Sequence, residues 1–161
     1  DLHLIAGELR KLFWLVGKGG EVQRQHVASV VAPAMPAEPF EVADAAAEKN
    51  AKKAMNLVSV LYKELGEGVC IPITAALLKM VERLIVARQM LDKGDSVEII
   101  ASRFEMHRFR AERYLLPMVR KHTVSDLRIK MKNLCKLDAQ VKGSASSKRT
   151  LVELAVLSIA V

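Results

Sequence analysis

Aromatic side chains are scarce in this chain: one Trp, two Tyr and four Phe, or 4% of 161 residues. Sheets draw heavily on aromatic and β-branched residues. Set against 51% apolar residues, rich in Leu, Ala, Val and Met, the scarcity disfavours a sheet and favours helix packed on helix. Cysteine is nearly absent. Cys70 and Cys135 cannot make a disulfide framework, and neither has a metal-ligand neighbour at useful spacing, so both read as buried thiols of a cytoplasmic protein. Long apolar runs are missing as well. The longest, Leu151 to Val161, is interrupted by Glu153 and Ser158 and is too short to span a bilayer. Asp1 is neither Met nor preceded by a cationic and apolar leader. The expectation is a piece of a longer, non-secreted protein.

Signatures of chemistry are equally thin. Gly17-Lys18-Gly19-Gly20 lacks the spacing and the following Ser or Thr of a phosphate-cradling loop, and reads as a helix-stopping turn. His3, His26, His107 and His122 are scattered, with no pair at metal-ligand spacing and no neighbouring nucleophile. Asp92 and Asp95 flank Gly94, where capping accounts for them. Asp138 sits close to the apolar stripe of its helix and is expected in a salt bridge. The reading is no catalytic residue, no cofactor and no metal; an enzyme would need its chemistry from residues outside these 161.

What is present is helical periodicity. Leu2, Ile5, Leu9, Leu12 and Phe13 share a face that stops at Gly17. Val22, His26, Val27 and Val30 suggest a second, short helix. Pro33, Pro36 and Pro39 within seven residues predict an extended linker and a domain boundary, residues 1–38 against 39–161. Beyond it, Phe40, Val42, Ala43 and Ala46 open a short helix, and Asn50 can cap the next, 51–65. Gly66 and Gly68 break that one. Residues 71–91 read as a long amphipathic helix, with Leu77, Leu78, Val81, Leu84, Ile85, Arg88 and Leu91 along one side and Pro72 tolerated in its first turn. Ser96 can cap a helix through Arg103, and another runs from about His107 to Lys121. Thr123 with Asp126 is a plausible capping box for a helix through Lys142, buried through Leu127, Met131, Leu134, Leu137 and Val141. A polar loop, 143–147, precedes a last, very apolar helix. No run alternates with period two, so the fold class is all-α.

Charge is uneven. Of the net +7, residues 103–132 hold nine basic and three acidic side chains, while residues 1–102 hold twelve and thirteen. A local basic face fits nucleic acid or an acidic partner, and equally an ordinary solvated surface. Residues 96–116 resemble a helix-turn-helix, with Arg108, Arg110 and Arg113 on the second helix in reach of a major groove. Yet Phe109 and Leu116 are expected to need burial, and the connection lacks the usual Gly. The candidate basic surface is Arg108, Arg110, Arg113, Arg120, Lys121 and Lys130. The last helix offers Leu151, Leu154 and Leu157 among apolar residues on more than one side, a candidate subunit interface.

In order, these segments resemble the delta-subunit family of the bacterial DNA polymerase III clamp loader. Asp1-Leu2, Ile5, Glu8-Leu9 and Lys11-Leu12 look like its "DL…L…EL.KL" helix. Gly20-Glu21-Val22 with Val27 is similar to the passage that follows, with Gln23 where Thr is usual. Phe40 to Ala45 is similar to its "F-x-L-x-D-A" start. Arg88 to Leu91 with Gly94, then Ile99-Ile100-Ala101 and His107 to Arg110, look like its "long helix, G, EIA, HPFR" stretch, with Arg108 in place of Pro. Leu137 to Gly143, then Leu151 to Leu154, are similar to its ending and account for Asp138. The resemblance implies the end of an AAA+ lid domain over 1–38 and a helical collar domain, used for oligomerisation, over 39–161. It implies a non-catalytic subunit of a DNA-directed DNA polymerase, a nucleotidyltransferase by association only. The implied partners are the gamma/tau and delta prime subunits. The sliding clamp would be met only through an N-terminal domain, and DNA through the assembled complex, with no membrane involved.

Overall fold

The computed structural model of the chain describes residues 2–23, 26–27, 38–143 and 147–161, without the side chains of residues 2–5 and 8. The chain divides into two compact units, residues 1–36 and 37–161. The first contains α1, Leu2–Val16. It ends where the Gly17 N–H bonds the Phe13 carbonyl at 3.0 Å, with Gly17 at φ 75°. Leu12 is buried, while Leu9, Phe13, Trp14 and Leu15 are exposed. Of the short helix expected over residues 22–30, Val22 and Gln23 are not helical, His26 and Val27 are, and the remainder lies outside the described residues, as does the linker up to residue 37.

The second unit is a bundle. α2, Pro39–Ala47, begins at a proline whose missing N–H has no helical partner in the first turn. Pro39 therefore belongs to the helix and not to the linker. α3, Ala51–Leu65, is capped by the Asn50 side chain, which accepts from the Lys53 N–H at 3.0 Å. Gly66–Val69 form a 3₁₀ turn that leads directly into α4, Cys70–Asp92. α5 is Val97–Arg103, capped by Ser96. α6 starts as Arg108–Arg110, widens to a π-helical turn over Ala111–Leu115 and resumes as Leu116–Arg120. The widening has a cause in Pro117, which has no N–H for the Arg113 carbonyl and whose ring pushes that carbonyl away. α7, Val124–Lys142, is capped by the Thr123 hydroxyl, which accepts from the Asp126 N–H at 3.2 Å, and α8 is Lys148–Ala160.

α4 is the axis of the bundle, packed against α2, α6, α7 and α8. The one-sided stripe expected for it is too narrow. Cys70, Ile73, Thr74, Ala76, Leu77, Met80, Val81, Leu84 and Ala87 are all buried, and Thr74 satisfies its buried hydroxyl on the Cys70 carbonyl at 2.8 Å. Arg88 is only half-buried; it pairs with Asp92 at 3.0 Å. α8 covers the other side of α2 and α3 through Val152, Val156 and Ile159.

Three helices end in the same Schellman geometry, in which a residue with positive φ turns the chain so that two N–H groups reach back to the last carbonyls. After α4 the residue is Gly94, φ 85°, with Asp95 N–H on the Met90 carbonyl and Gly94 N–H on that of Leu91, both at 3.0 Å. After α2 it is Lys49, φ 62°, with bonds from Asn50 to Ala45 and from Lys49 to Ala46. After α5 it is Glu105, φ 51°, with bonds from Met106 to Ala101 and from Glu105 to Ser102. The connection that lacks Gly in sequence thus still takes the conformation Gly favours, held by Glu105.

Candidate interaction surfaces

Along α8, the residues that face out are the ones spaced for a ridge. Leu154 is 59% exposed, and Leu151 and Leu157 are half-buried on either side of it. Residues three apart on a helix advance by roughly 60° the other way round the axis, so the three form one slanting apolar edge with Leu154 at its crest. The opposite side of the helix, Val152, Ala155, Val156 and Ile159, is closed into the core. Nothing local forces Leu154 outward; the face opposite the core must carry some residue, and here it carries an apolar one.

The sequence-selected basic residues divide. Arg108 is exposed and pairs with Glu98 at 2.8 Å across the α5–α6 connection. Arg113 lies over the ring of Phe109, 5.7 Å from its centroid, one turn apart on α6. Phe109 itself is 58% exposed, so the burial expected of it does not occur; Leu116 is buried. Lys121 donates to the Glu48 carbonyl at 2.6 Å, at the end of α2. Arg110 and Arg120 are exposed. Lys130 does not belong to the surface at all. It is 8% exposed, its ammonium pairs with Asp126 at 3.0 Å and reaches the Ile159 carbonyl of α8 at 3.4 Å. Lys49 donates to the neighbouring Val161 carbonyl at 2.5 Å, so two cations meet the negative end of the α8 dipole. Desolvation, and after it repulsion from Lys130, hold the Lys49 ammonium below its usual range.

Arg110 also borders a groove of about 720 Å³ between α2, α4 and the 106–118 stretch, with Phe40, Asp44, Met80, Tyr114 and Met118 on its walls. Desolvation against this wall, and then Glu48 one turn on, push the Asp44 carboxyl up; Arg83 and Arg110 pull it back.

Several groups able to carry chemistry have structural partners, and others do not. Cys70 is buried, with its thiol and the Tyr62 hydroxyl hydrogen-bonded to each other. Cys135 is exposed, contrary to the buried thiol expected; it lies on the outer side of α7. Asp138 pairs with Lys142 at 2.6 Å, as a salt bridge. His122 is buried, its Nε2 3.0 Å from the Ala47 carbonyl. A carbonyl only accepts, so Nε2 carries the proton and Nδ1 is bare, 3.8 Å from Asp126 and with no hydrogen-bond partner among the described residues. Burial is the main force lowering the His122 pKa, with Lys49 and Lys130 adding to it and the Ala47 bond and Asp126 opposing. Among the described residues, no group of three or more His, Cys, Asp or Glu could hold a metal ion, and no helix is long and apolar enough to cross a membrane.

Residues 37–159 match the family model described as DNA polymerase III delta subunit, C-terminal domain. Among solved structures, the Bacillus subtilis DNA clamp loader delta protein superposes with a TM-score of 0.64 at 23% identity, over 99% of this chain and 46% of that one. This chain therefore spans less than half the length of that protein. No curated protein matches significantly.

Proposed function

The chain belongs to the family defined by the C-terminal domain of the DNA polymerase III delta subunit, and from that premise we propose that it is the assembly module of a clamp-loader delta subunit. Residues 39–161 act as the collar domain and residues 1–38 as the end of the AAA+ lid. The module joins the gamma/tau and delta prime subunits in the cytoplasm and performs no chemistry itself. The sliding clamp is handled by a part of the protein outside these residues. One observation carries the reading: the apolar edge Leu151–Leu154–Leu157, on the face of α8 turned away from its own core. An exposed apolar ridge on a helix otherwise fixed in a bundle gains most by covering itself with a neighbouring helix.

Leu154→Glu tests it. Leu154 is largely exposed, so the variant keeps its fold. In an interface, the substitution removes a buried leucine, about 1.5–3 kcal/mol. At 1.4 kcal/mol per decade that weakens binding to the other loader subunits by about 10- to 100-fold. Unchanged affinity by sedimentation or calorimetry, with the fold intact, sinks the proposal. The helix-turn-helix alternative predicts instead that Arg110→Ala with Arg113→Ala abolishes tight duplex binding; if that alternative is wrong, the double variant leaves subunit assembly largely intact.

A further inference from the structure

Of the six cations singled out by sequence crowding, the fold engages four and leaves Arg110 and Arg120 exposed. Arg108, Arg113, Lys121 and Lys130 are engaged with a carboxylate, a ring or backbone carbonyls. On α7 the situation is reversed. Arg128, Lys132 and Lys136 are exposed, and none of the three takes part in an ion pair or hydrogen bond among the described residues. They stand at i, i+4 and i+8, so they form one stripe about 12 Å long with about 6 Å between successive positions. The carboxylates of α7 do not neutralise it. Asp126 lies roughly 160° around the helix from Arg128 and Asp138 roughly 160° from Lys136, and each is already paired with the lysine four residues on, Lys130 and Lys142. The outer face of α7 is therefore a positive strip without a counter-charge of its own.

We infer that this stripe is a docking surface for the phosphate backbone of a nucleic acid. Phosphates on one strand of a duplex advance 3.4 Å per nucleotide, so about 12 Å of helix spans three to four of them, matching three cations in number and length. Lys132 and Lys136 supply point charges and Arg128 a planar fork able to grip two phosphate oxygens. None of these contacts reads a base, so binding is independent of sequence. This goes beyond the assembly role and does not depend on it, since the stripe lies on α7 and the apolar edge on α8.

The experiment uses the 161-residue chain and 5′-labelled duplex and single-stranded oligonucleotides of mixed sequence, followed by fluorescence anisotropy from 50 to 200 mM salt. Three neutralised phosphates give a logarithmic salt slope of about −2.7 on duplex, or about 40-fold weaker binding across that range, and about −2.1 on single strands. The two arms show which form is preferred. Arg128→Gln, Lys132→Gln and Lys136→Gln together should flatten the slope on the preferred form, while the triple variant Arg108→Gln, Arg110→Gln, Arg113→Gln should keep it. All six side chains are exposed, and circular dichroism confirms that both variants are folded. The inference is overturned if the chain binds neither form, if the α7 variant keeps its slope, or if the α6 variant is the one that loses it. It is also overturned if the α7 variant loses only affinity for other loader proteins, which would make the stripe a seat for an acidic protein surface.

Discussion

Replacing Glu105 by glycine should make this protein more stable, and replacing Gly94 by alanine should make it less so. Both residues occupy the same place in the same motif: positive φ after the last turn of a helix, with two N–H groups returned to the preceding carbonyls. A residue with a Cβ loses about 1–2 kcal/mol in the left-handed region. Glycine avoids that loss but carries about 0.5–1 kcal/mol of extra freedom in the unfolded chain. The difference leaves Glu105→Gly about 0.5–1 kcal/mol more stable. Gly94→Ala is destabilised by a similar amount, and the added Cβ has open space around it, so nothing but backbone strain enters. Glu105 is exposed and makes no ion pair or hydrogen bond through its side chain among the described residues, so its removal costs nothing there. In a domain of this size the shifts are about 1–4 °C in Tm, upward for one variant and downward for the other. Circular dichroism melts with urea midpoints measure both, with Glu105→Ala as the control that keeps the strain and should stay within about 0.5 kcal/mol of the parent. The reasoning is refuted if Glu105→Gly melts at or below the parent temperature while Gly94→Ala is neutral.

Two further outcomes follow from the core. Leu84, fully buried in the middle of α4, should cost about 2–5 kcal/mol on truncation to Ala, read from the urea midpoint. His122 has a folded pKa below its unfolded value near 6.5. The unfolded chain therefore takes up the proton first, and stability falls as pH drops below about 6.5. His122→Gln keeps an N–H for the Ala47 carbonyl and cannot titrate, so its midpoint should vary less between pH 7.5 and 5.5; an equal pH dependence in both proteins disproves the assignment.

Most of the fold was legible because helix ends are decided locally. Asn50, Ser96 and Thr123 each bond an N–H three residues on, and recognising them takes only those residues and the apolar spacing that follows. What escaped depends on distant partners. Lys130 reads as one more cation in a basic stretch, but its ammonium finds a carbonyl 29 residues away, which no local pattern encodes. Phe109 reads as a core residue by type, yet it sits in the first turn of α6 facing out, where Arg113 covers it. The apolar edge of α8 was visible as excess hydrophobicity; which residue forms its crest required knowing which face α2, α3, α4 and α7 close over. The α7 stripe was hidden for a related reason. Charge counting cannot separate cations already held by the fold from those left outside it.

The clasp at the far end of α8 has a consequence for how the protein is made. Lys49 and Lys130 grip the carbonyls of residues 161 and 159, and α8 itself lies over α2 and α3. A nascent chain leaving the ribosome accordingly exposes the greasy sides of its early helices until residues 148–160 have been synthesised. Closure of the bundle then waits on that stretch of translation, and a ribosome stalled short of α8 would display a sticky, unfinished bundle for chaperones to shield.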